Sequence, residues 1–358
     1  MIKTLHLQTN LNLSCGVTRT ISEIIKNISP EFEQHLISLG GNGIERFHEF
    51  NFNPIILNNN SSFISSIKTL GFILNYCKGN KIDVIHSHHR YFDFLSFFIS
   101  KFIKVKTITS VHSKVSDKKN LSYKSDVLIA CSNSIKSYLV NYFEIEEKRI
   151  KVIYNMVNQN EVKITESKNT LIDKYLIPQP KFIIGFIGRF DFMEKGVDIL
   201  LHSFKQFQNK DYKIHLVLLG NGIDKKNIEE FVAENNLFVT VIDEKLNVFD
   251  FIQLFDVLIL PSRIEPFGLS IIEAALMKKV VIASDIDGIS EIIEHEKNGL
   301  LFQSENVDDL TQQIIKVYKD NTLASSLSAN LYNKVLENYT ADKIIPQYEK
   351  TYLDLFNE

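Results

Sequence analysis

The sequence predicts an α/β protein of two doubly wound domains facing each other across a cleft. Three observations lead there. Short β-branched runs alternate with helical patterns along the whole chain, as in βαβ units and parallel sheets. The alternation restarts after a polar stretch that begins near residue 158. A length of 358 residues is also long for one domain and comfortable for two.

Each element follows from its local pattern. In the first half, short runs rich in Val, Ile, Leu and Thr, bounded by polar residues, predict strands at Thr4–Gln8, His35–Ser38, Asn53–Leu57, Asp83–His86, Lys106–Val111, Val127–Ala130 and Ile150–Ile153. Helical spacing predicts helices at Val17–Ile28, Ile64–Lys78 and Ile135–Phe143. These make one Rossmann-like domain, placed at 1–157. A polar segment running to about Pro180 reads as the linker, and Asn58-Asn59-Asn60-Ser61-Ser62 reads as a loop. The second domain, placed at 158–340, has strands expected at Phe182–Ile187, His215–Leu219, Val239–Ile242, Val257–Leu260, Val280–Ala283 and Leu300–Phe302. Its helices are expected at Val197–Phe207, Lys226–Asn235, Val248–Leu254, Leu269–Met277, Ile289–Glu294, Val307–Asp320 and Leu323–Asn338. A last helix, Ala341–Phe356, is expected to bring residues 341–358 back onto the first domain.

Composition narrows the function. With 44% apolar and 23% charged residues the chain is an ordinary globular one. Cys15, Cys77 and Cys131 are widely spaced and form no CxxC pair, so neither a disulfide framework nor a zinc site is suggested. This fits a reducing cytoplasm. No signal-like apolar segment opens the chain and no uninterrupted apolar stretch approaches about 18 residues, so the expectation is a cytoplasmic protein, at most peripheral at the inner face of a membrane. Residues 1–160 carry 19 cations against 12 anions and residues 161–358 carry 21 against 31. The basic half would suit an anionic membrane or acceptor, or be no more than an unevenly charged solvated surface. No nucleic-acid partner is indicated.

The most informative stretch runs from Arg263 to Glu273, R-I-E-P-F-G-L-S-I-I-E. It follows the strand Val257–Leu260, at the end where α/β folds hold ligands. Pro266 and Gly268 predict a sharp turn, after which a helix begins at Leu269 with free N–H groups and a positive dipole end suited to phosphate oxygens. Ionised carboxylates only accept hydrogen bonds, which suits the diols of ribose or of a sugar, so Glu265 and Glu273 are candidate clamps. Taken singly, Glu265 reads equally as a capping acid and Glu273 as a solvated helix residue. Arg189 and Lys195, beside Gly188 and Gly196 at another strand end, are candidates to neutralise a diphosphate, or else are ordinary surface cations. Gly220 and Gly222 form a turn placed to approach a nucleotide, and Asp243-Glu244 is expected to flank its base.

No G-x-G-x-x-G follows a strand, which argues against a nicotinamide enzyme, and no phosphate loop of the G-x-x-x-x-G-K-[ST] kind is present. His86-Ser87-His88 begins like a metallo-hydrolase motif, but Arg90 and Tyr91 stand where Asp and His should follow, so no metal is expected. His112, at the end of another strand, reads as a hydrogen-bonding group in the cleft or as a satisfied structural histidine.

Leu260-Pro261-Ser262 followed by Glu265-Pro266-Phe267-Gly268 and Glu273 resembles the E-x7-E motif of family 4 glycosyltransferases, which have the GT-B fold. Phe186-Ile187-Gly188-Arg189 with Lys195-Gly196 is similar to the family's diphosphate-binding pair. Val152-Ile153-Tyr154-Asn155 resembles its V-I-P-N segment, Asp287-Gly288-Ile289-Ser290-Glu291 its G-G-I-P-E element, and Asn298-Gly299-Leu300-Leu301 its N-G-L-L element. The chain departs at Cys15-Gly16, where paired glycines are usual, at Tyr154 and at Asp287. The resemblance implies retaining transfer from a nucleotide diphosphate sugar, a UDP-sugar foremost, to a glycan or lipid-linked acceptor in surface polysaccharide or glycoconjugate biosynthesis, with no cofactor and no essential metal. The catalytic group it implies is His112, Arg189, Lys195 and Glu265. Donor binding would add Gly16, Gly220, Gly222, Phe267, Gly268, Leu269 and Glu273. A nucleotide-sugar 2-epimerase and a non-catalytic glycan-binding subunit are the alternatives.

Overall fold

A computed structural model describes every residue except 14, 58–62, 118, 179–181, 208–211 and 358, so the loop expected at 58–62 lies outside the described residues. The chain forms two compact units, Met1–Asn155 with Ala341–Glu358, and Met156–Thr340.

Unit 1 is built on strands β1 (Ile2–Gln8), β2 (Phe32–Ser38), β3 (Ile55–Ile56), β4 (Val84–Ser87), β5 (Lys106–Val111), β6 (Val127–Ala130) and β7 (Ile150–Val152), with helices α1 (Gly16–Asn27), α2 (Glu45–His48), α3 (Phe63–Asn80), α4 (Arg90–Phe102) and α5 (Asn133–Asn141). Unit 2 carries β8 (Phe182–Ile187), β9 (Ile214–Leu219), β10 (Val239–Ile242), β11 (Val257–Leu260), β12 (Val280–Ser284) and β13 (Leu300–Phe302). Its helices are α6 (Lys168–Lys174), α7 (Phe192–Lys195), α8 (Val197–Lys205), α9 (Lys225–Glu234), α10 (Phe249–Ile252), α11 (Leu269–Leu276), α12 (Ile289–Ile292), α13 (Val307–Lys319) and α14 (Asn321–Asn338). The last helix, α15 (Ala341–Asn357), belongs to unit 1.

Both sheets are parallel throughout, in the orders β3-β2-β1-β4-β5-β6-β7 and β10-β9-β8-β11-β12-β13. Parallel strands covered on both faces need continuous apolar runs. The strands β9, β11 and β12 are buried at every position. In each unit the strand order reverses once, between β1 and β4 and between β8 and β11. A doubly wound sheet opens a crevice at that point, at the carboxyl ends of the strands.

Several elements differ from expectation. The strand predicted at Asn53–Leu57 shortens to β3, because Pro54 has no N–H to give a ladder. Helix α4 was not expected: its N-cap is His89, whose imidazole accepts from the Tyr91 N–H at 3.1 Å, rather than one of the usual capping residues. Its Asp93 is fully buried and accepts from Thr109 Oγ1, Lys124 N, Ser125 N and Ser125 Oγ at 2.7–3.1 Å. Part of the polar segment read as a linker is helix α6, preceded by Thr165 and Glu166, whose backbone N–H groups both donate to Asp250.

The crevice of unit 1 is lined by imidazoles. His6 and His86 face each other in register on β1 and β4, and His88 follows β4. All three are buried, and α15 packs Tyr348 and Tyr352 against His86. Burial is the main cause that pushes His6 down to about 4 and holds His86 and His88 well below 6.5. All three therefore stay neutral in the fold while the unfolded chain takes up protons below 6.5. Stability is complete above that pH and falls as pH drops toward 4, by up to about 1.4 kcal/mol per pH unit for each histidine. Urea unfolding followed by circular dichroism should give a lower midpoint at pH 5 than at pH 7. A His86→Gln variant should show a shallower loss, and equal slopes for the two proteins would contradict the assignment.

Candidate functional site

In unit 2 the reversal of strand order sets the loops after β8 and β11 side by side. The β8 loop carries Gly188, Arg189 and Asp191. The Asp191 side chain caps α7 by accepting from the Glu194 N–H at 3.0 Å. This short helix ends at Lys195 and turns through Gly196, at φ 61°, into α8. A side chain on Gly196 would collide with the carbonyl oxygen of Pro261, so only glycine lets the two loops touch.

That approach brings Lys195 to Glu265. Lys195 Nζ donates to Glu265 Oε2 at 2.7 Å, and Ser262 Oγ donates to the same oxygen at 3.3 Å. Glu265 is buried although it lies in a turn. Gly268, at φ 106°, ends the turn and has no side chain to cap α11, whose first turn contains no acid. Glu273 is the fifth residue of α11 and is 5% exposed, so the solvated-helix alternative does not hold. A buried carboxylate, a partly buried ion pair and the amino end of a helix thus follow from the same two strand ends.

The fixing residue is Arg263, whose role no local pattern in the sequence reveals. Its guanidinium forks onto Asp198 at 2.7 and 2.8 Å and onto Glu305 at 2.6 and 2.9 Å, and it also donates to the Phe192 carbonyl. Its backbone N–H donates to the Glu194 carbonyl at 2.9 Å. Asp198 first, and then Glu305, hold the Arg263 pKa above its ordinary value. The turn bearing Lys195 and the turn bearing Glu265 are tied together by this one side chain.

Other predicted residues find more particular surroundings. Arg189 is half exposed, ion-paired with Glu194, and places Nε 3.5 Å from Asp191 Oδ2. Gly220 and Gly222 have a packing reason: side chains there would strike the carbonyl oxygens of Gly188 and Phe190. Phe267 is an interior residue, its ring buried and edge-on to Tyr339 at 5.6 Å, so only its backbone is available to a ligand. Leu269 opens α11 half-buried. Asp243 accepts from Lys225 Nζ at 2.6 Å.

In unit 1, Gly16 is the first residue of α1, and its carbonyl accepts from Thr20 Oγ1, which also reaches Asn155 Oδ1 at 3.2 Å. His112 follows β5, half-buried, with Nε2 3.3 Å from His88 Nδ1. The group His6, His86 and His88 has ligand-type atoms within 4.8 Å of one another. Its nitrogens are already engaged: His6 with Gln34 and His88, His86 with Ser110 and Tyr352, His88 with His6 and His112. The 2.9 Å separation of His6 Nδ1 and His88 Nε2 is a hydrogen bond. Two nitrogens bound tetrahedrally to zinc would sit about 3.3 Å apart. A signal for His6 was present in the sequence, since Thr4, His6 and Gln8 put polar groups on one face of a strand expected to be buried on both.

The chain resembles known proteins over nearly all its length. Residues 15–161 match the family described as Glycosyltransferase Family 4, and residues 167–334 match Glycosyl transferases group 1. An uncharacterized glycosyltransferase of Methanocaldococcus jannaschii is 26% identical over 358 residues, 95% of each chain. The O-antigen biosynthesis glycosyltransferase WclY of Escherichia coli is 25% identical, over 96% of each. The crystal structure of Anabaena Alr3699/HepE in complex with UDP-glucose superimposes with a TM-score of 0.86 at 18% identity, covering 99% of this chain and all of that one. With its two Rossmann-like units and these matches, the chain belongs to the family 4 glycosyltransferases of the GT-B fold.

Proposed function

We propose that the protein transfers a sugar, with retention of configuration, from a UDP-sugar to a glycan or lipid-linked acceptor in surface polysaccharide biosynthesis. The observation that carries the reading is the Lys195–Glu265 pair at the β8/β11 reversal, with buried Glu273 and the amino end of α11 beside it in the sequence. A uridine donor is favoured by the UDP-glucose in the HepE structure, and a polysaccharide acceptor by the role named for WclY.

In this reading Lys195, Arg189 and the N–H groups at Gly268 and Leu269 meet the diphosphate, and Glu273 accepts from the ribose diol. Glu265 accepts from hydroxyls of the donor sugar. The acceptor oxygen forms its bond to the anomeric carbon on the face that the diphosphate leaves, and its proton passes to a phosphate oxygen. Charge on the leaving group is met by side chains and backbone, so no metal is required. His112 and Gly16 of unit 1 serve the same reaction, His112 as a hydrogen-bonding group and Gly16 at the amino end of α1. Peripheral attachment of the basic first half to an anionic membrane belongs to the same proposal, on its excess of cations. Among the described residues no helix is long and apolar enough to cross a membrane.

A panel of nucleotide sugars read by thermal shift tests the donor class. A ligand at 100 times its dissociation constant adds about 2.7 kcal/mol. One UDP-sugar should raise the melting temperature of the wild type and leave that of Glu273→Gln nearly unmoved. Indifference of the wild type to every nucleotide sugar would overturn the reading. Lys195→Ala and Arg189→Ala should each lower turnover by roughly 100-fold, with wild-type activity surviving EDTA. Full activity of both variants would remove their role at the leaving group. Arg263→Lys keeps the charge and loses the fork, so kcat should fall about 10-fold with little change in donor KM, in the manner of a positioning defect. A change in KM alone would show that Arg263 does not set the position of Lys195.

A further inference from the structure

Below His112 lies a line of hydrogen bonds that the transfer reaction as described does not use. Gln34 Oε1 is 2.8 Å from His6 Nε2, His6 Nδ1 is 2.9 Å from His88 Nε2, and His88 Nδ1 is 3.3 Å from His112 Nε2. The line crosses the sheet of unit 1 from β2 through β1 to the residues that follow β4 and β5, at the reversal of strand order. Consecutive rings lie 5.2 and 5.6 Å apart at 20° and 18°, nearly parallel. His86 packs on His88 at 4.2 Å but stays outside the line, because Ser110 and Tyr352 engage its two nitrogens.

A neutral imidazole has one donor nitrogen and one acceptor nitrogen, so a row of them can carry its protons in only two ways, and one end decides which. The end here is the Gln34 carboxamide, which turns Oε1 to His6 and leaves Nε2 buried without a hydrogen-bond partner among the described residues; in that orientation the end of the row only accepts. His6 must then donate from Nε2 and accept at Nδ1. His88 donates from Nε2 and accepts at Nδ1, and His112 donates from Nε2. We propose that Gln34, acting through His6 and His88, fixes His112 as the Nε2–H tautomer and so makes its Nδ1 a hydrogen-bond acceptor for a substrate hydroxyl. Burial supports the requirement of neutrality, since it holds His6 and His112 at about 4 and His88 well below 6.5. Gln34, His6 and His88 are on this account positioning residues, and His112 is the one that meets substrate. The last step rests on the transferase reading; the tautomer does not.

The test is long-range proton–nitrogen NMR of the full chain labelled at histidine nitrogen, at pH 7.5, with His112 assigned by comparison with His112→Gln. The expected wild-type result is a single His112 tautomer protonated at Nε2. In Gln34→Leu the fixed end is gone and His112 should become a mixture of tautomers, with kcat down roughly 10-fold and donor KM unchanged. Gln34→Glu, which still only accepts at that end, should restore the wild-type spectrum. A wild-type His112 protonated at Nδ1, or a Gln34→Leu spectrum identical to wild type, would overturn the proposal. So would one zinc per chain in the purified protein, because the row would then be a metal centre. The wild-type spectrum alone decides if Gln34→Leu does not fold. Should the protein transfer no sugar, the tautomer is still read directly, so failure of the activity and failure of the proton assignment are told apart.

Discussion

The arginine at position 263 is the interaction on which the rest of unit 2's chemistry depends. A doubly wound sheet brings two strand ends together but leaves the loops beyond them unspecified. Here one guanidinium fills that gap, holding Asp198 in the first turn of α8, Glu305 just before α13 and the carbonyl of Phe192 in α7. Because its own backbone N–H binds Glu194, the side chain and the chain it belongs to grip the same turn. Lys195 and Glu265 meet as a result, rather than by their own attraction alone. A partly buried ion pair loses some of its hydration, and it repays that loss only where something else holds its geometry.

The legible part of the site was the part that local sequence determines. Lys195 and Glu265 each stand just after a recognisable strand, and α/β topology predicts that strand ends converge. The β8–α7 turn was not legible as a helix, since four residues are too few for a periodic signal. Helix α4 was hidden by its histidine cap and its aromatic content. Arg263 was visible in the motif but its partners were not: Asp198 and Glu305 are 65 and 42 residues away, and only the tertiary fold joins them. Phe267 stood in the motif too, but the direction of its ring was not legible. An irregular turn has no periodicity to say which side chain faces inward, and this one does.

The two units repeat one topology and use its crevice for opposite purposes. In unit 2 the reversal gathers formal charges, lysine and arginine against carboxylates, at loops where water can still reach them. In unit 1 the same position holds neutral rings buried under a helix, so what it offers is direction of hydrogen bonding rather than charge. A sheet order alone therefore says where chemistry can be placed, and the polarity of the residues facing the crevice says which kind.

The ring-lined crevice of unit 1 is roofed by α15, which also receives the Ser29 N–H on Glu349 and pairs Asp354 with Lys151. That helix is made after unit 2. A ribosome working at about 5–20 residues per second spends roughly 10–40 s on residues 156–340 before residue 341 appears. During that interval unit 2 can complete itself from contiguous chain, while unit 1 waits for the helix that packs on His86 and beside α1. Of the two units, the one begun first is completed second, so its final packing is gated by the synthesis of its neighbour.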